Sequence, residues 1–334
     1  ARAAHERAVA LLTPGDDRAH LFTAFPDGVP PELPADRLHG PLMLETDEGG
    51  RTLAELLPAG RVAIDEYTMP LHRSLGGREM VDAAVALGAA KVVKTSDEIE
   101  CIRRAQSINE RAMFDVEAML ASGIRATALS GRFLRRVFEL GASSNTVDPI
   151  FQVMPPRVAD GPYSVTGDVV FPTPTTDRVL ADGDVIWVDT GIAYQGYASD
   201  FGRTWVVGGG VGARRRDQFL RWRDVLDRVL DATRPGATGG DLVRAAGDLD
   251  GRRPWLPHLY LAHGIGTDSA EMPFVGTDLG PGFDDSVVLV PGTVVVVEPV
   301  VWDEGHAGYR AEEVVAVSDD GYRMLSDHHY RPYD

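Results

Sequence analysis

The chain of 334 residues contains little cysteine, little lysine and no long apolar run. Its single cysteine, Cys101, excludes an intramolecular disulfide and fits a reducing compartment. Lys91 and Lys94 are the only lysines, so lysine Schiff-base chemistry has almost no candidate residue. Because no run of about eighteen apolar residues and no secretory signal pattern occur, we expect a cytoplasmic protein without a membrane span.

Positive charge is also scarce. The sequence has 33 basic and 50 acidic residues, which gives a formal net charge of -17. An acidic surface is repelled by nucleic acids and by anionic membranes, so neither is an expected partner. The rest of the composition, 44% hydrophobic and 25% charged, is that of a globular protein.

The apolar pattern of residues 1–94 predicts a small α/β domain. Four short strand patterns (RAVALL, AHLFT, PLMLE and RVAIDEY) alternate with turn residues. A helix pattern (REMVDAAVALG) and a further strand pattern (KVVKT) follow them.

Residues 95–334 form the second predicted domain. Thr95 and Glu98 have the spacing of a capping box, which predicts the start of a helix. Further patterns follow in order: a helix at 126–140, antiparallel strands at 147–207, an amphipathic helix at 215–233 and strands from Trp255 onward. These patterns predict an α+β fold with an antiparallel sheet flanked by helices.

Two carboxylates lie eleven residues apart in VIWVDTGIAYQGYASD. Asp189 ends a buried strand pattern, and Asp200 follows a turn at Gly196. A returning strand would bring the two together, where they repel each other unless a cation lies between them. Taken alone, the pair is equally compatible with a surface hairpin whose acids are solvated.

Three further segments supply metal-ligating residue types. Glu298 ends the apolar run VVVV, and Glu312 and Glu313 open another apolar strand just after Arg310. His263 precedes glycines that permit a close approach of the backbone. Four carboxylates and one imidazole from apolar strands predict a site for two divalent ions, with Mn, Fe, Co and Zn equally suitable.

The order of these motifs resembles that of the pita-bread metallopeptidases, which include methionine aminopeptidase, aminopeptidase P, prolidase and the non-peptidase creatinase. The shared elements are the aspartate spacing, His-Gly-x-Gly, Glu-Pro and Arg-x-Glu-Glu. The similarity covers about residues 95–334, and residues 1–94 resemble a shortened amino-terminal domain of creatinase and prolidase. It implies a pita-bread catalytic domain, a homodimer and a small-molecule or dipeptide-like substrate.

The resemblance also assigns roles to five residues. It implies that Asp189 chelates one metal, that His263 and Glu298 bind the other, and that Asp200 and Glu312 bridge the two. In the family a water activated by the metals attacks the scissile carbonyl, and the residue at the Glu298 position helps to manage its proton.

Outside the ligands, the family pattern is only partly present. We expect Arg310 and Glu313 to lie around the ligands, one orienting the other. Family peptidases carry a substrate-contacting histidine seven residues after the ligand histidine, and here that position is Ala270. A second family histidine would fall near Phe171, but no histidine occurs between positions 73 and 257.

Other side chains could substitute for these histidines. His306 lies between the two glutamate strands and is a candidate catalytic residue, with an exposed loop position as the alternative. Tyr309 is a candidate for the substrate pocket together with Phe171 and Ala270. Two further candidates, His258 and Tyr260, are interpreted chiefly as structural residues.

Three functions remain open from the sequence. The first is non-peptidase hydrolysis of, or elimination from, a small amino-acid-like substrate, which the missing histidines favour. The second is a genuine Xaa-Pro dipeptidase or aminopeptidase. The third is a non-catalytic binding module, which the complete ligand set disfavours.

Overall fold

A computed structural model describes residues 8–26, 29–44, 46–157, 175, 177–209, 211–256 and 258–328. The chain divides into two compact units, Ala1–Leu87 and Gly88–Asp334. Within the described ranges, none of the helices combines the length and the apolar character that crossing a lipid bilayer requires.

The first unit is a small α/β assembly. Strand β1 (Val9–Leu11) pairs antiparallel with β2 (His20–Phe22), which pairs parallel with β3 (Leu38–His39). Strands β4 (Val62–Ile64) and β5 (Met80–Asp82) form a separate parallel pair. The remaining elements are a 3-10 turn (Ala35–Arg37) and the helices α1 (Asp47–Leu56), α2 (Met69–Leu75) and α3 (Ala84–Val92), the last of which crosses the boundary between the units.

Three short predictions in this region were wrong. The described part of PLMLE, residues 41–44, contains no strand. REMVDAAVALG divides into β5 and α3, and the first two residues of KVVKT are the last two of α3. Helix α3 starts late because Asp82 Oδ1 accepts a hydrogen bond from the backbone N–H of Ala84 at 2.7 Å, which caps the helix there.

The first helix of the second unit begins where its cap predicts. Thr95 Oγ1 accepts from the N–H of Glu98, and Glu98 Oε2 accepts from the N–H of Thr95 at 2.7 Å, so the predicted capping box is confirmed. The helices are α4 (Ser96–Glu117), α5 (Ala126–Glu139), α6 (Ala213–Ala232), α7 (Gly239–Ala246) and α8 (Pro281–Ser286).

The strands of the second unit form antiparallel sheets, as predicted. One sheet contains β6 (Ser144–Val153), β7 (Val185–Tyr194), β8 (Tyr197–Ala198) and β9 (Phe201–Val206). A five-stranded sheet has the order β11 (Glu271–Val275), β10 (Ala262–Gly264), β12 (Val294–Val297), β15 (Glu313–Val317) and β16 (Tyr322–Met324). Strands β13 (Val300–Trp302) and β14 (Gly308–Arg310) form a separate antiparallel hairpin.

The central strand β12 is covered on both faces, which explains its uninterrupted apolar sequence. Val294 and Val296 pack in a cluster with Ile102 of α4. Val295 and Val297 pack on the other face, in the cluster that contains residues of α6 and α7. Helices therefore lie against both sides of the sheet whose strands end at the predicted ligands.

Candidate metal centre

The two aspartates approach each other through a β-hairpin. Asp189 lies in β7 opposite Gly202 of β9, and Asp200 directly precedes β9. The chain reverses at Gln195 and Gly196, whose φ angles of 51° and 83° lie in the left-handed region. Both carboxylates are buried, so the alternative of a solvated surface hairpin does not apply.

Glu312 completes a cluster of three carboxylates. One ligand oxygen each from Asp189, Asp200 and Glu312 lies within 4.8 Å of the others. The N–H of Glu312 donates to the carbonyl of Gly202 at 3.2 Å, which fixes its backbone beside the hairpin. A Cβ at position 202 would lie 2.6 Å from Glu312 Oε2, so this close approach requires a glycine.

His263 and Glu298 lie next to this cluster. His263 Nε2 is 3.3 Å from Asp200 Oδ2 and 3.3 Å from Glu298 Oε1. Its Nδ1 donates to the carbonyl of Gly264 at 2.9 Å, because a carbonyl oxygen can only accept. In the neutral imidazole the lone pair of Nε2 therefore faces two carboxylate oxygens, an arrangement suited to a metal ion.

Burial dominates the electrostatics of the cluster. Burial raises the pKa of Asp200, and the nearby charge of Asp189 raises it further. Burial and the charge of Asp200 likewise raise the pKa of Glu312. Burial raises the pKa of Glu298 to about 7, although the charge of Arg310 opposes the shift. Such carboxylates stay ionised only when further positive charge is supplied.

Arg310 supplies part of that charge. Its Nη1 donates to Asp189 Oδ2 at 2.9 Å, and its Nε donates to Glu298 Oε2 at 3.2 Å. Its Nη2 lies 3.1 Å from Glu312 Oε2, and the guanidinium lies over the ring of Trp187 at 4.9 Å. One guanidinium can neutralise only one of the four carboxylates, so the site still carries excess negative charge.

The expected pairing of Arg310 with Glu313 was wrong. Glu313 Oε1 instead accepts from Arg203 Nη2 at 3.2 Å. Alternate residues of an extended chain point to opposite faces, so Arg310 and Glu312 share the face of the carboxylate cluster and Glu313 does not.

Unsatisfied acceptors indicate that the residues fit bound cations. Oε1 of Glu298 and Oε1 of Glu312 are buried, and neither accepts a hydrogen bond from the described residues. Buried oxygens without a donor are costly, and the cost disappears when a cation binds them. The donor set of four carboxylates and one imidazole is one that divalent Mn, Fe, Co and Zn accept.

Two buried amides of α4 fix the aspartate hairpin. Asn109 Nδ2 donates to the carbonyl of Thr190 at 2.8 Å and to Ser199 Oγ at 3.0 Å, and Asn109 Oδ1 accepts from Thr190 Oγ1 at 2.9 Å. Gln106 Oε1 accepts from the N–H of Asp200 at 3.1 Å. Thr190 and Ser199 are direct neighbours of the two aspartates in sequence, so α4 positions both. The amphipathic pattern of α4 did not reveal these residues, because polar residues on a helix are usually solvated.

Two aromatic residues near the ligand histidine were interpreted as structural from the sequence. His258 is buried, and its Nδ1 lies 3.4 Å from the carbonyl of Tyr260 and 3.5 Å from Glu298 Oε2. Burial lowers the pKa of His258 well below its ordinary value. The ring of Tyr260 lies between His258 and His263. In the sequence, the only sign that these two residues lie near the site is their short spacing before His263.

The other candidates lie elsewhere. Tyr309, predicted for the substrate pocket, is fully buried in the core against Trp222. It neighbours Arg310 in β14 and therefore points to the opposite face of the strand. His306 is exposed at the tip of the β13–β14 hairpin, and none of its described contacts involves a predicted ligand. Ala270 directly precedes β11, and Phe171 lies outside the described residues.

A comparison with known protein families supports the same assignment as the motif order and the site geometry. The model of metallopeptidase family M24 matches residues 100–319, which is more than half of the chain. The chain belongs to metallopeptidase family M24. The match covers all five predicted ligands of this M24 chain.

Curated relatives of this M24 protein carry peptidase names. It is 26% identical over 239 residues to the Xaa-Pro dipeptidase of Pyrococcus furiosus, covering 71% of this chain and 63% of that protein. It is 28% identical over 279 residues to the probable dipeptidase PepE of Mycobacterium tuberculosis, covering 82% and 68%. The chain thus spans about two thirds of the length of these relatives.

Solved structures of the family share its fold. The prolidase from Pyrococcus furiosus matches with a TM-score of 0.69 at 23% identity, over 84% of this chain and 80% of that one. The proline aminopeptidase P II from Yersinia pestis matches with a TM-score of 0.71 at 21% identity, over 86% and 73%. The predicted pita-bread α+β fold is confirmed.

Proposed function

We propose that this M24 chain is an enzyme that binds two divalent metal ions and uses them for hydrolysis or elimination. The observation that supports this best is the convergence of Asp189, Asp200, His263, Glu298 and Glu312 in one buried cluster with too little positive charge. His263 and Glu298 would bind one ion and Asp189 the other, with Asp200 and Glu312 shared.

The bound ions and the protein side chains would contribute different parts of the reaction. Bound divalent ions would lower the pKa of water and stabilise negative charge that develops on the substrate. Glu298, whose Oε2 accepts from Arg310, is the residue we propose to help manage the proton of the water activated by the ions. Arg310 would keep Asp189 and Glu298 in fixed orientations through its paired hydrogen bonds.

The substrate we propose is a small amino-acid-like molecule rather than a peptide. Ala270 can neither donate a hydrogen bond nor titrate, and the sequence has no histidine between positions 73 and 257. Loss of a preorganised donor costs about 10²–10³ in rate, and loss of an acid or base costs about 10²–10⁴. Both losses together oppose efficient cleavage of a peptide bond.

A genuine Xaa-Pro dipeptidase is the second candidate, and the name of the Pyrococcus furiosus relative favours it. A non-catalytic binding module is the third, although such a module has no physical reason to keep buried carboxylates. The homodimer and the cytoplasmic location stay predictions, which light scattering and cell fractionation would test.

Substrate profiling of metal-loaded protein distinguishes these candidates. The protein would be loaded with Mn, Co or Zn, and kcat/KM measured for Xaa-Pro dipeptides and for amidino and carbamoyl amino acids. Turnover of the small molecules with very slow dipeptide cleavage supports the proposal. Dipeptide values of about 10⁴ M⁻¹s⁻¹ or more would establish the second candidate, and failure to bind metal would refute both.

A further inference from the structure

Tyr260 lies beside the candidate metal centre with its ring held on several sides. Its ring centroid is 5.0 Å from that of His263 and 4.9 Å from that of His258, and both contacts are edge to face. Phe274 packs at 5.7 Å on the same ring. Only 6% of the residue is exposed. These contacts leave the ring little freedom, so its hydroxyl has a fixed position.

That hydroxyl has no hydrogen-bond partner among the described residues. The hydroxyl oxygen is not fully buried, so water or a bound molecule can reach it. The ring contact with His263 places Tyr260 beside the predicted ligands, and burial and then the charges of Glu298 and Asp200 raise its pKa. The phenol stays protonated and can act as a neutral donor beside the site.

Neighbouring groups are less suitable donors. His258 Nδ1 already faces the carbonyl of Tyr260, and His263 Nδ1 already donates to Gly264. Arg310 donates to the ligand carboxylates. Ala270 offers no polar atom where the family peptidases have an imidazole. Tyr260 is therefore the side chain of this segment with an uncommitted donor.

We infer that the Tyr260 hydroxyl donates a hydrogen bond to the reacting oxygen of the substrate, in place of the imidazole that position 270 lacks. The inference rests on the proposed function, because the oxygen it stabilises belongs to a substrate bound at the metal centre. No proton is transferred: the phenol keeps its hydrogen and stabilises negative charge that develops on the substrate oxygen.

The substitution Tyr260→Phe tests this by removing one oxygen while the ring contacts remain. The probe is methylphosphonate, a small tetrahedral oxyanion, added to protein loaded with Co²⁺ and followed by calorimetry. We expect Tyr260→Phe to weaken methylphosphonate binding about 10- to 100-fold, as loss of a hydrogen bond to a charged group does. The affinity for Co²⁺ and the visible spectrum of the bound Co²⁺ should stay unchanged.

Tyr322→Phe is the matched control, because Tyr322 lies in β16 and packs against the core cluster of α6. It should change neither affinity. Equal methylphosphonate affinity in wild type and Tyr260→Phe would overturn the inference and leave the metal site standing. So would a Co²⁺-loaded wild type that does not bind methylphosphonate. A wild type that binds no Co²⁺ would instead overturn the proposed function, and the inference with it.

Discussion

The aspartate side and the histidine side of the candidate metal centre are stabilised differently. On the aspartate side, Asn109 and Gln106 of α4 make four hydrogen bonds to residues at or next to Asp189 and Asp200. On the histidine side, ring contacts among His258, Tyr260 and His263 dominate, and a tyrosine hydroxyl has no described partner.

This difference separates binding of metal from recognition of substrate. A network of buried hydrogen bonds fixes the aspartates whatever substrate is bound, because each amide atom already has its partner. The histidine side contains Ala270 and an uncommitted donor, so its chemistry can change while the ligand positions remain.

The largest effect should come from the shared ligands. We expect Asp200→Ala and Glu312→Ala each to weaken the affinity for metal more than about 100-fold, because each removes a carboxylate shared by both proposed ions. Elemental analysis of protein purified without chelator would measure this. Metal should raise the melting temperature of wild type and not of the variants, since it binds the native state. Equal metal content in all three proteins would contradict the ligand assignment.

Removal of the Asn109 side-chain amide should weaken metal binding less than the loss of a shared ligand. We expect Asn109→Ala to weaken Co²⁺ binding about 10- to 100-fold, as loss of an outer partner of ligands typically does. Ile108→Ala is the matched control, since it also truncates a buried α4 side chain but breaks no hydrogen bond to the hairpin. Similar Co²⁺ affinities in the two variants would mean that the amide only contributes to packing.

A third prediction concerns Glu110, which lies one turn from Gln106 on α4. Burial raises its pKa from 4.5 to about 7, although the N–H of Asp327 donates to it. The folded state therefore binds its proton more tightly, and stability is lost as pH rises from about 4.5 to about 7.

We expect Glu110→Gln to be increasingly more stable than wild type as pH rises, by about 2 kcal/mol between about pH 5.5 and about pH 8. Urea denaturation of metal-free protein at both pH values would measure the difference. The opposite trend would mean that the hydrogen bond from Asp327 outweighs burial.

The smallest effect should come from His306. Because its side chain is exposed at a hairpin tip, we expect His306→Ala to change kcat/KM less than about twofold for any substrate that the profiling identifies. A large loss of kcat/KM with unchanged metal content would instead establish the catalytic role that its position between the glutamate strands suggested.

Part of the site could be predicted from residue types in apolar strands. The four candidate carboxylate ligands were predicted because a carboxylate at the end of a buried strand is unstable without a cation, and His263 was predicted from the glycines that follow it. The roles of Tyr309, Glu313 and Tyr260 could not be obtained this way. Their positions depend on which face of the chain each side chain occupies and on how neighbouring segments pack.

From residue patterns alone we predicted the start of α4, the antiparallel class of the second unit and the candidate ligand residues. These follow from local patterns such as the Thr95 capping box, and from the cost of burying charge. Contacts between distant elements fixed the rest: Asn109 reaches the aspartate hairpin, Arg310 faces the carboxylates and Tyr260 lies against His263. These contacts join residues from separate elements, and local periodicity contains no information about which distant elements will pack together.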